Sequence, residues 1–216
     1  MQYKEEAFEN FEMFAKLVEN EKGFKIKTIR SDNGGEFVNS KFVELCVDKG
    51  YRHEFSTPRT PQQNGVVERK NRTLQEMARS MINEFDVPKY LWAEAVNTAC
   101  YIINRVSIRP IAKKTPYEMW KNRKPTVAHF RTFGVKCFVL DESPKVTKFD
   151  AKSLEGIFVG YSRTSKAYRI FIPSQKTVVE SVHVKFNENT NLVVEKGDEN
   201  TGDEQSKETE INATDS

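Results

Sequence analysis

Two acidic residues of this 216-residue chain lie where a carboxylate can do chemistry. Asp32 follows a short β-favouring segment and opens a polar turn, and 35 residues separate it from Glu68. Hard divalent cations such as Mg²⁺ and Mn²⁺ prefer oxygen ligands, and two ions about 3.5–4 Å apart can activate an attacking oxygen and stabilise a leaving one. Because carboxylates on different elements can hold such ions, metal-assisted phosphoryl transfer is one hypothesis for this pair.

The same two residues also have an ordinary structural interpretation. An Asp in a Gly-containing turn commonly caps that turn, and a Glu in the first turn of a helix is stabilised by the helix dipole. Spacing alone favours this interpretation. Helical spacing nevertheless places amide and phosphate-seeking side chains on the exposed face that Glu68 begins. They are Asn71, Arg72, Gln75 and Arg79.

The elements that must position these residues alternate between helix and strand. Apolar residues at spacings of three and four predict an amphipathic helix over 5–19. Its apolar stripe is Ala7, Phe8, Phe11, Phe14, Ala15 and Val18. We further predict a strand at 24–29, a helix at 41–49 and a strand at 51–55. A long helix then starts at Val66 with Val67 inward, and another follows Pro88 with Trp92 on its buried side. This order indicates α/β layering with a largely parallel sheet.

The second half of the chain has a different pattern. Residues 106–128 contain three prolines and many basic residues, which predicts an extended connector. Beyond it, short apolar alternations separated by turn residues predict a small β-barrel of about five strands over 129–190. Four strands are placed at 136–140, 154–161, 168–172 and 177–181. The acidic segment 191–216 lacks aromatic residues and is predicted to be a disordered tail.

The net charge of +3 conceals a strong segregation along the chain. Residues 23–194 hold 29 basic and 17 acidic side chains, a net charge of +12 between two acidic ends. Such an excess is typical of polyanion-binding domains, although many basic domains bind no nucleic acid. The densest basic cluster has two possible interpretations: its side chains contact DNA phosphates, or they belong to a connector exposed to solvent. It comprises Lys113, Lys114, Lys121, Arg123 and Lys124.

Composition argues against several classes of protein. No apolar run reaches about 18 residues, so we expect no membrane span. Cys46, Cys100 and Cys137 give an odd count with no C-x-x-C pair, which argues against a disulfide scaffold and a zinc ribbon. A reducing, intracellular compartment is favoured.

Longer strings of residues carry a family resemblance. The segments 29–37 and 56–74 closely resemble the integrase core of copia-type LTR retrotransposons, and shorter motifs continue the similarity to about residue 190. The resemblance implies a ribonuclease-H-like catalytic core, here partial and lacking its first strands, over 1–105. The basic connector at 106–128 and a small all-β barrel of the Src-homology-three type at 129–190 would follow it.

The resemblance also implies roles for individual residues. Asp32 and Glu68 match the second and third members of the family's Asp-Asp-35-Glu triad, which makes them the implied catalytic and metal-binding residues, with Mg²⁺ or Mn²⁺ as cofactor. The implied partner is DNA, a homo-oligomer is compatible with the family, and no membrane is involved. Action on chromosomal DNA would require a nuclear location. Charge and helical spacing, beside the resemblance, give the candidate DNA-binding residues: the connector cluster together with Asn64, Arg69, Lys70, Arg72, Gln75 and Arg79.

One departure from the family pattern bears on mechanism. The family's first catalytic Asp lies on a strand upstream of the helix that begins here near Lys4. We therefore expect this chain to bind the metal weakly or not at all, to be catalytically incompetent by itself, and to expose apolar surface that the upstream strands would cover. A non-catalytic DNA-binding or protein-interaction module of transposon origin is the alternative.

Overall fold

The computed structural model describes residues 6–57, 64–140 and 153–187. Its first elements are helix α1 (Glu6–Lys22), strand β1 (Thr28–Ser31), helix α2 (Ser40–Lys49) and strand β2 (Arg52–Phe55). The two strands pair in parallel, with Ile29 opposite His53, which confirms the predicted alternation. Residues 188–216, including the predicted tail, lie outside the described ranges.

The first strand begins later than predicted. Gly23 ends α1 in the left-handed conformation, with φ of 68°, and Phe24 is 79% exposed. The Ile26 N–H donates to the Glu19 carboxylate at 2.7 Å instead of to a neighbouring strand. The prediction of a strand over 24–29 is therefore wrong for its first four residues, although the Lys27 carbonyl already accepts the Arg52 N–H of β2 at 2.9 Å.

Phe42 of α2 is the centre of the packing between α1 and α2. Its fully buried ring lies 5.4 Å from the Phe8 ring and 5.3 Å from the Phe11 ring, measured between centroids. Ala15 continues this buried stripe, whereas Phe14 is 59% exposed. The inward prediction for Phe14 is wrong because α2 covers only the side of α1 that carries Phe8, Phe11 and Ala15.

Two longer helices follow, α3 (Gly65–Glu84) and α4 (Trp92–Val106), joined through a short 3-10 turn at Lys89–Leu91. They share a core in which Ala78 of α3 and Ala95 of α4 are buried. Val67 and Trp92 are more than half exposed, so their predicted inward positions are wrong. Both belong to the first turn of their helix, whereas the buried residues lie further along each helix.

The predicted extended connector contains a helix, α5 (Pro116–Lys121). Thr115 and Glu118 form a reciprocal capping box, Pro116 occupies the first helical position, and Asn122 ends the helix in the left-handed conformation. The extended prediction is wrong for these six residues. The sequence Thr-Pro-x-Glu could have predicted this helix, because it combines a capping box with a proline at the first helical position.

The C-terminal half forms a five-stranded antiparallel sheet in the order β6-β5-β4-β3-β7. The strands are β3 (Lys136–Leu140), β4 (Ser153–Tyr161), β5 (Tyr168–Ile172), β6 (Thr177–Ser181) and β7 (Val184–Phe186). The four strands placed from sequence are confirmed, and β7 is additional. Burial raises the pKa of the Cys137 thiol to about 12, so this residue acts as a small core hydrophobe.

Helix α4 packs directly on this sheet. The Thr98 hydroxyl donates to the Val159 carbonyl at 2.8 Å, and Arg169 forms an ion pair with Glu94 at 2.6 Å. Val159 and Phe171 join the same core as the two long helices. Residues on both sides of the predicted connector therefore share one hydrophobic core. The boundaries at 105 and 129 stay predictions.

Two half-buried histidines should make the fold acid-sensitive. Burial lowers the pKa of His53, and burial together with Arg105 and Arg131 lowers the pKa of His129. Between the lowered value and about 6.5, the unfolded chain binds more protons than the folded one, so stability present above pH 6.5 is lost as the pH falls. We expect urea denaturation to give a smaller free energy of unfolding at pH 5.5 than at pH 7.5.

A matched pair of variants separates this effect from carboxylate titration. His129→Phe should flatten part of the pH dependence between 5.5 and 7.5, whereas His183→Gln, at an exposed site, should leave it unchanged. An identical pH dependence for His129→Phe and the unmodified chain would contradict the assignment.

Candidate functional site

Ser56 joins the ends of both parallel strands to the start of α3. Its N–H donates to the Ser31 carbonyl at 3.0 Å, and its carbonyl accepts from the Asn33 side chain at 3.2 Å. Its hydroxyl accepts from the side chain of Asn64, the residue before α3, also at 3.2 Å. The polar turn after β1 and the N-terminus of α3 are therefore held together at the carboxyl edge of the strands, where α/β sheets commonly place functional groups.

Asp32 and Glu68 flank this junction. Asp32 precedes Asn33, is exposed, and accepts the Gly34 N–H at 3.1 Å. Glu68 lies one turn into α3, is also exposed, and donates its N–H to the Asn64 carbonyl at 3.0 Å. The prediction that Glu68 occupies the first turn of the long helix is confirmed. Ser56 is therefore hydrogen-bonded to Asn33, the neighbour of Asp32 in sequence, and to Asn64, whose carbonyl accepts the Glu68 N–H.

A further carboxylate lies beside Asp32. A Cβ atom built on Gly34 would lie 2.8 Å from Glu36 Oε2 and 3.0 Å from Asp32 Oδ1, so both side chains flank this glycine. Glu36 is not among the residues predicted from the sequence, although its place four residues after Asp32 across a Gly-Gly turn was a usable signal. Carboxylate oxygens suit a hard divalent cation. No cluster of three His, Cys, Asp or Glu side chains suited to a metal occurs within the described ranges.

The predicted DNA-binding residues of α3 do not all share one surface. Arg69 folds back over the helix start, where its Nη1 would lie 3.3 Å from a Cβ built on Gly65. Lys70 is half-buried on the side of Leu74. The remaining residues are exposed and follow Glu68 at helical spacing. They are Arg72, Gln75 and Arg79.

The basic connector cluster divides among different surfaces. Lys113 and Lys114 lie in a tight turn, in which the Arg109 N–H donates to the Lys114 carbonyl at 2.9 Å. Lys121 forms an ion pair with Glu21 at the end of α1. This pair, with the Trp120 indole donating to the same Glu21 carboxylate at 2.9 Å, connects α5 to α1. The Lys121 charge therefore already has a partner.

The last two members of the cluster lie apart from the others. Arg123 and Lys124 follow α5 and line a cavity against the β4–β5 turn. The Arg123 Nε donates to the Tyr117 hydroxyl at 3.2 Å. The five cations that are neighbours in sequence thus face three different environments.

The sequence of this chain is similar to those of known proteins along most of its length. Residues 135–200 match the family described as the retroviral polymerase SH3-like domain. The chain is 44% identical over 185 residues to the retrovirus-related Pol polyprotein from transposon TNT 1-94 of Nicotiana tabacum. It is 33% identical over 189 residues to the corresponding polyprotein from transposon RE1 of Arabidopsis thaliana. These matches cover 86% and 88% of this chain.

Two solved structures show a partial likeness to this chain. One is a chain of the simian T-cell lymphotropic virus intasome in complex with PP2A regulatory subunit B56 gamma. It is 16% identical in sequence, with a TM-score of 0.47, and the match covers 86% of this chain and 65% of that one. The HTLV-2 integrase catalytic core domain in complex with magnesium, in a trimeric form, is 20% identical with a TM-score of 0.41. That match covers 53% of this chain and 69% of the other.

The sequence relatives and the SH3-like match define the class of protein: the chain is homologous to Pol polyproteins of retrovirus-related transposable elements. Its homologues include, more narrowly, the Pol polyproteins of copia-type plant transposons, and the predicted family resemblance is confirmed. The chain spans 14% and 13% of the length of the tobacco and Arabidopsis relatives. No helix in the described part of the chain is long and apolar enough to cross a membrane.

Proposed function

We propose that this chain is the part of a retrotransposon integrase that binds DNA and supplies two of its catalytic carboxylates, Asp32 and Glu68. The junction at Ser56 carries the proposal, because it joins the turn bearing Asp32 to the helix bearing Glu68. A bound Mg²⁺ or Mn²⁺ would stabilise charge on a transferring phosphoryl group. Both carboxylates, with Glu36 beside Asp32, provide the oxygen ligands such a cation prefers.

The DNA contacts in this proposal come mainly from the exposed stripe of α3. Arg72, Gln75 and Arg79 extend from Glu68 along one side of the helix, so a phosphate backbone bound there would run towards the carboxylates. The net charge of +12 over residues 23–194 supports a polyanionic partner. We assign the core to 1–105, the connector to 106–128 and the small barrel to 129–190 as part of the same proposal.

The 216-residue polypeptide is expected to bind DNA but not to transfer strands. Two metal ions require several carboxylates, and the two that match the family triad should hold them only weakly. Duplex binding should weaken steeply with salt, and Arg72→Gln/Arg79→Gln should reduce the slope of log K against log salt by about 1.8, at about 0.9 per phosphate contact. Fluorescence anisotropy measures binding, and a strand-transfer assay with Mg²⁺ or Mn²⁺ measures activity.

Different outcomes test different parts of this proposal. Isothermal titration of Mn²⁺ into the chain should give weak binding that Asp32→Asn abolishes and that Asp48→Asn, on α2, preserves. Mg²⁺-dependent strand transfer that Asp32→Asn abolishes would overturn the expectation of incompetence. An absence of duplex binding at low salt would overturn the assignment of DNA as the partner.

A further inference from the structure

A basic and aromatic cavity lies between α4, the segment after α5 and the β4–β5 turn. Its volume is about 740 Å³, within the size range of protein ligand pockets. Five of the residues that line it are Lys or Arg, and none is acidic. The five cations are Arg105, Arg123, Lys124, Arg163 and Lys166.

The cations on the sheet side are held by an ordered turn. The Ser162 hydroxyl accepts the N–H groups of Thr164 at 3.2 Å and Ser165 at 3.1 Å, which fixes the turn that carries Arg163 and Lys166. Arg163 Nη2 donates to the Asn97 side chain of α4 at 2.8 Å. Within the described ranges, no carboxylate forms an ion pair with any of the five cations. The cavity is therefore suited to an anion with several charges.

The opposite wall of the cavity is aromatic. The Arg105 guanidinium lies 3.4 Å from the centroid of the Tyr101 ring and 4.7 Å from that of Tyr117. Tyr101 stacks on Tyr161 at 4.3 Å, as part of a packed cluster of rings. Tyr117 is half-buried and packs against no other ring among the described residues, so part of its ring surface is available to a ligand.

We propose that this cavity binds a nucleotide within a single-stranded segment of nucleic acid. Its phosphates would contact Arg123, Lys124, Arg163 and Lys166, and its base would stack on Tyr117. A single strand fits better than a duplex, because duplex bases are already stacked on one another and offer no free face. This inference rests on the proposed function and deepens it by naming the form of nucleic acid that the cavity takes.

The phosphate contacts are tested with the full chain and an oligothymidylate of about 12 nucleotides, using fluorescence anisotropy at several salt concentrations. Arg163→Gln/Lys166→Gln should raise Kd on the order of tenfold and lower the salt slope by about 1.4, at about 0.7 per contact with a single strand. Lys25→Gln/Lys27→Gln removes two exposed lysines before β1 and should leave Kd close to that of the unmodified chain. Equal losses in the two double variants would overturn the site.

The stacking contact is tested by removing bases from the probe. The unmodified chain should bind oligothymidylate about tenfold more tightly than an abasic strand of equal length, and Tyr117→Ala should abolish this preference while Tyr117→Phe keeps it. Equal affinity for both probes would overturn base recognition. Tighter binding of free thymidine triphosphate, or of a polyglutamate peptide, would overturn the single strand as ligand.

The outcomes for the cavity and for the proposed function are distinguishable. Duplex binding that depends on Arg72 and Arg79, with no effect of Arg163→Gln/Lys166→Gln on the single strand, would retain the proposed function and overturn the cavity site. Single-strand binding that depends on Arg163 and Lys166, without duplex binding, would retain the cavity site and overturn the duplex contacts on α3.

Discussion

Gly160→Ala is expected to lower the free energy of unfolding by about 2–4 kcal/mol, through backbone strain and overpacking together. Gly160 has φ of 153°, in a region that L-residues rarely adopt, next to the irregularity where β4 shifts register against β5. A Cβ atom there would lie 2.4 Å from the Thr98 hydroxyl oxygen. That hydroxyl also donates to the Val159 carbonyl, so the substitution pushes α4 away from the sheet at the point where the two are joined.

Urea denaturation followed by circular dichroism measures this loss. Gly35→Ala is the matched control, because a Cβ there meets nothing within 4 Å, and it should change stability by less than about 0.5 kcal/mol. Adding Thr98→Ala to Gly160→Ala relieves the collision. The combined loss should therefore be smaller than the sum of the two single losses by about 1–2 kcal/mol. Simple additivity would show that the close approach of α4 is not the cause.

Phe158→Ala should destabilise the sheet by about 3–5 kcal/mol, which is a large fraction of the total stability of an ordinary domain. Phe158 is fully buried. Its ring lies 5.2 Å from Tyr161, 5.8 Å from Tyr168 and 5.7 Å from Phe186, measured between ring centroids. Truncation to Ala removes these contacts and leaves a cavity between β4, β5 and β7.

Phe24→Ala is the control for Phe158→Ala, because the Phe24 side chain is 79% exposed and should change stability by less than about 0.5 kcal/mol. Phe158→Leu keeps most of the apolar volume, so its smaller loss remains measurable if the Ala variant does not fold. Equal effects of Phe158→Ala and Phe24→Ala on the urea midpoint would contradict the placement of Phe158 at the centre of the sheet.

Local pattern in the sequence was enough to predict most of the elements. Alternation of apolar residues placed β3 at its observed bounds, because a strand with one buried face has a side-chain period of two. A short apolar run placed β5, whose residues Ile170, Phe171 and Ile172 are buried on both faces of the sheet. The helix predicted at 41–49 is bounded by equally local features: the Asn39 side chain caps its start and Gly50 ends it in the left-handed conformation, and both involve only neighbouring residues. The family, too, followed from contiguous motifs.

Contacts between distant residues could not be predicted from such local patterns. Periodicity indicates that a helix has an apolar side, but the partner decides how much of that side is covered, so Phe14 and Trp92 are exposed despite their pattern. The five connector cations are close together in sequence. They nevertheless occupy three environments in the structure, because their partners lie on different elements. The burial of a residue depends on which elements pack against it, and those elements can lie anywhere in the chain.

The sequence by itself determined the residue types of the candidate site, namely two carboxylates with 35 residues between them and a basic helix face after the second. The tertiary structure alone decided that Ser56 joins their two elements and that Glu36 lies beside Asp32. It also brought Arg105 and Tyr117 together with Arg163 at one cavity. The physical reason is that hydrogen bonds and ion pairs require proximity in space, which spacing along the chain does not specify.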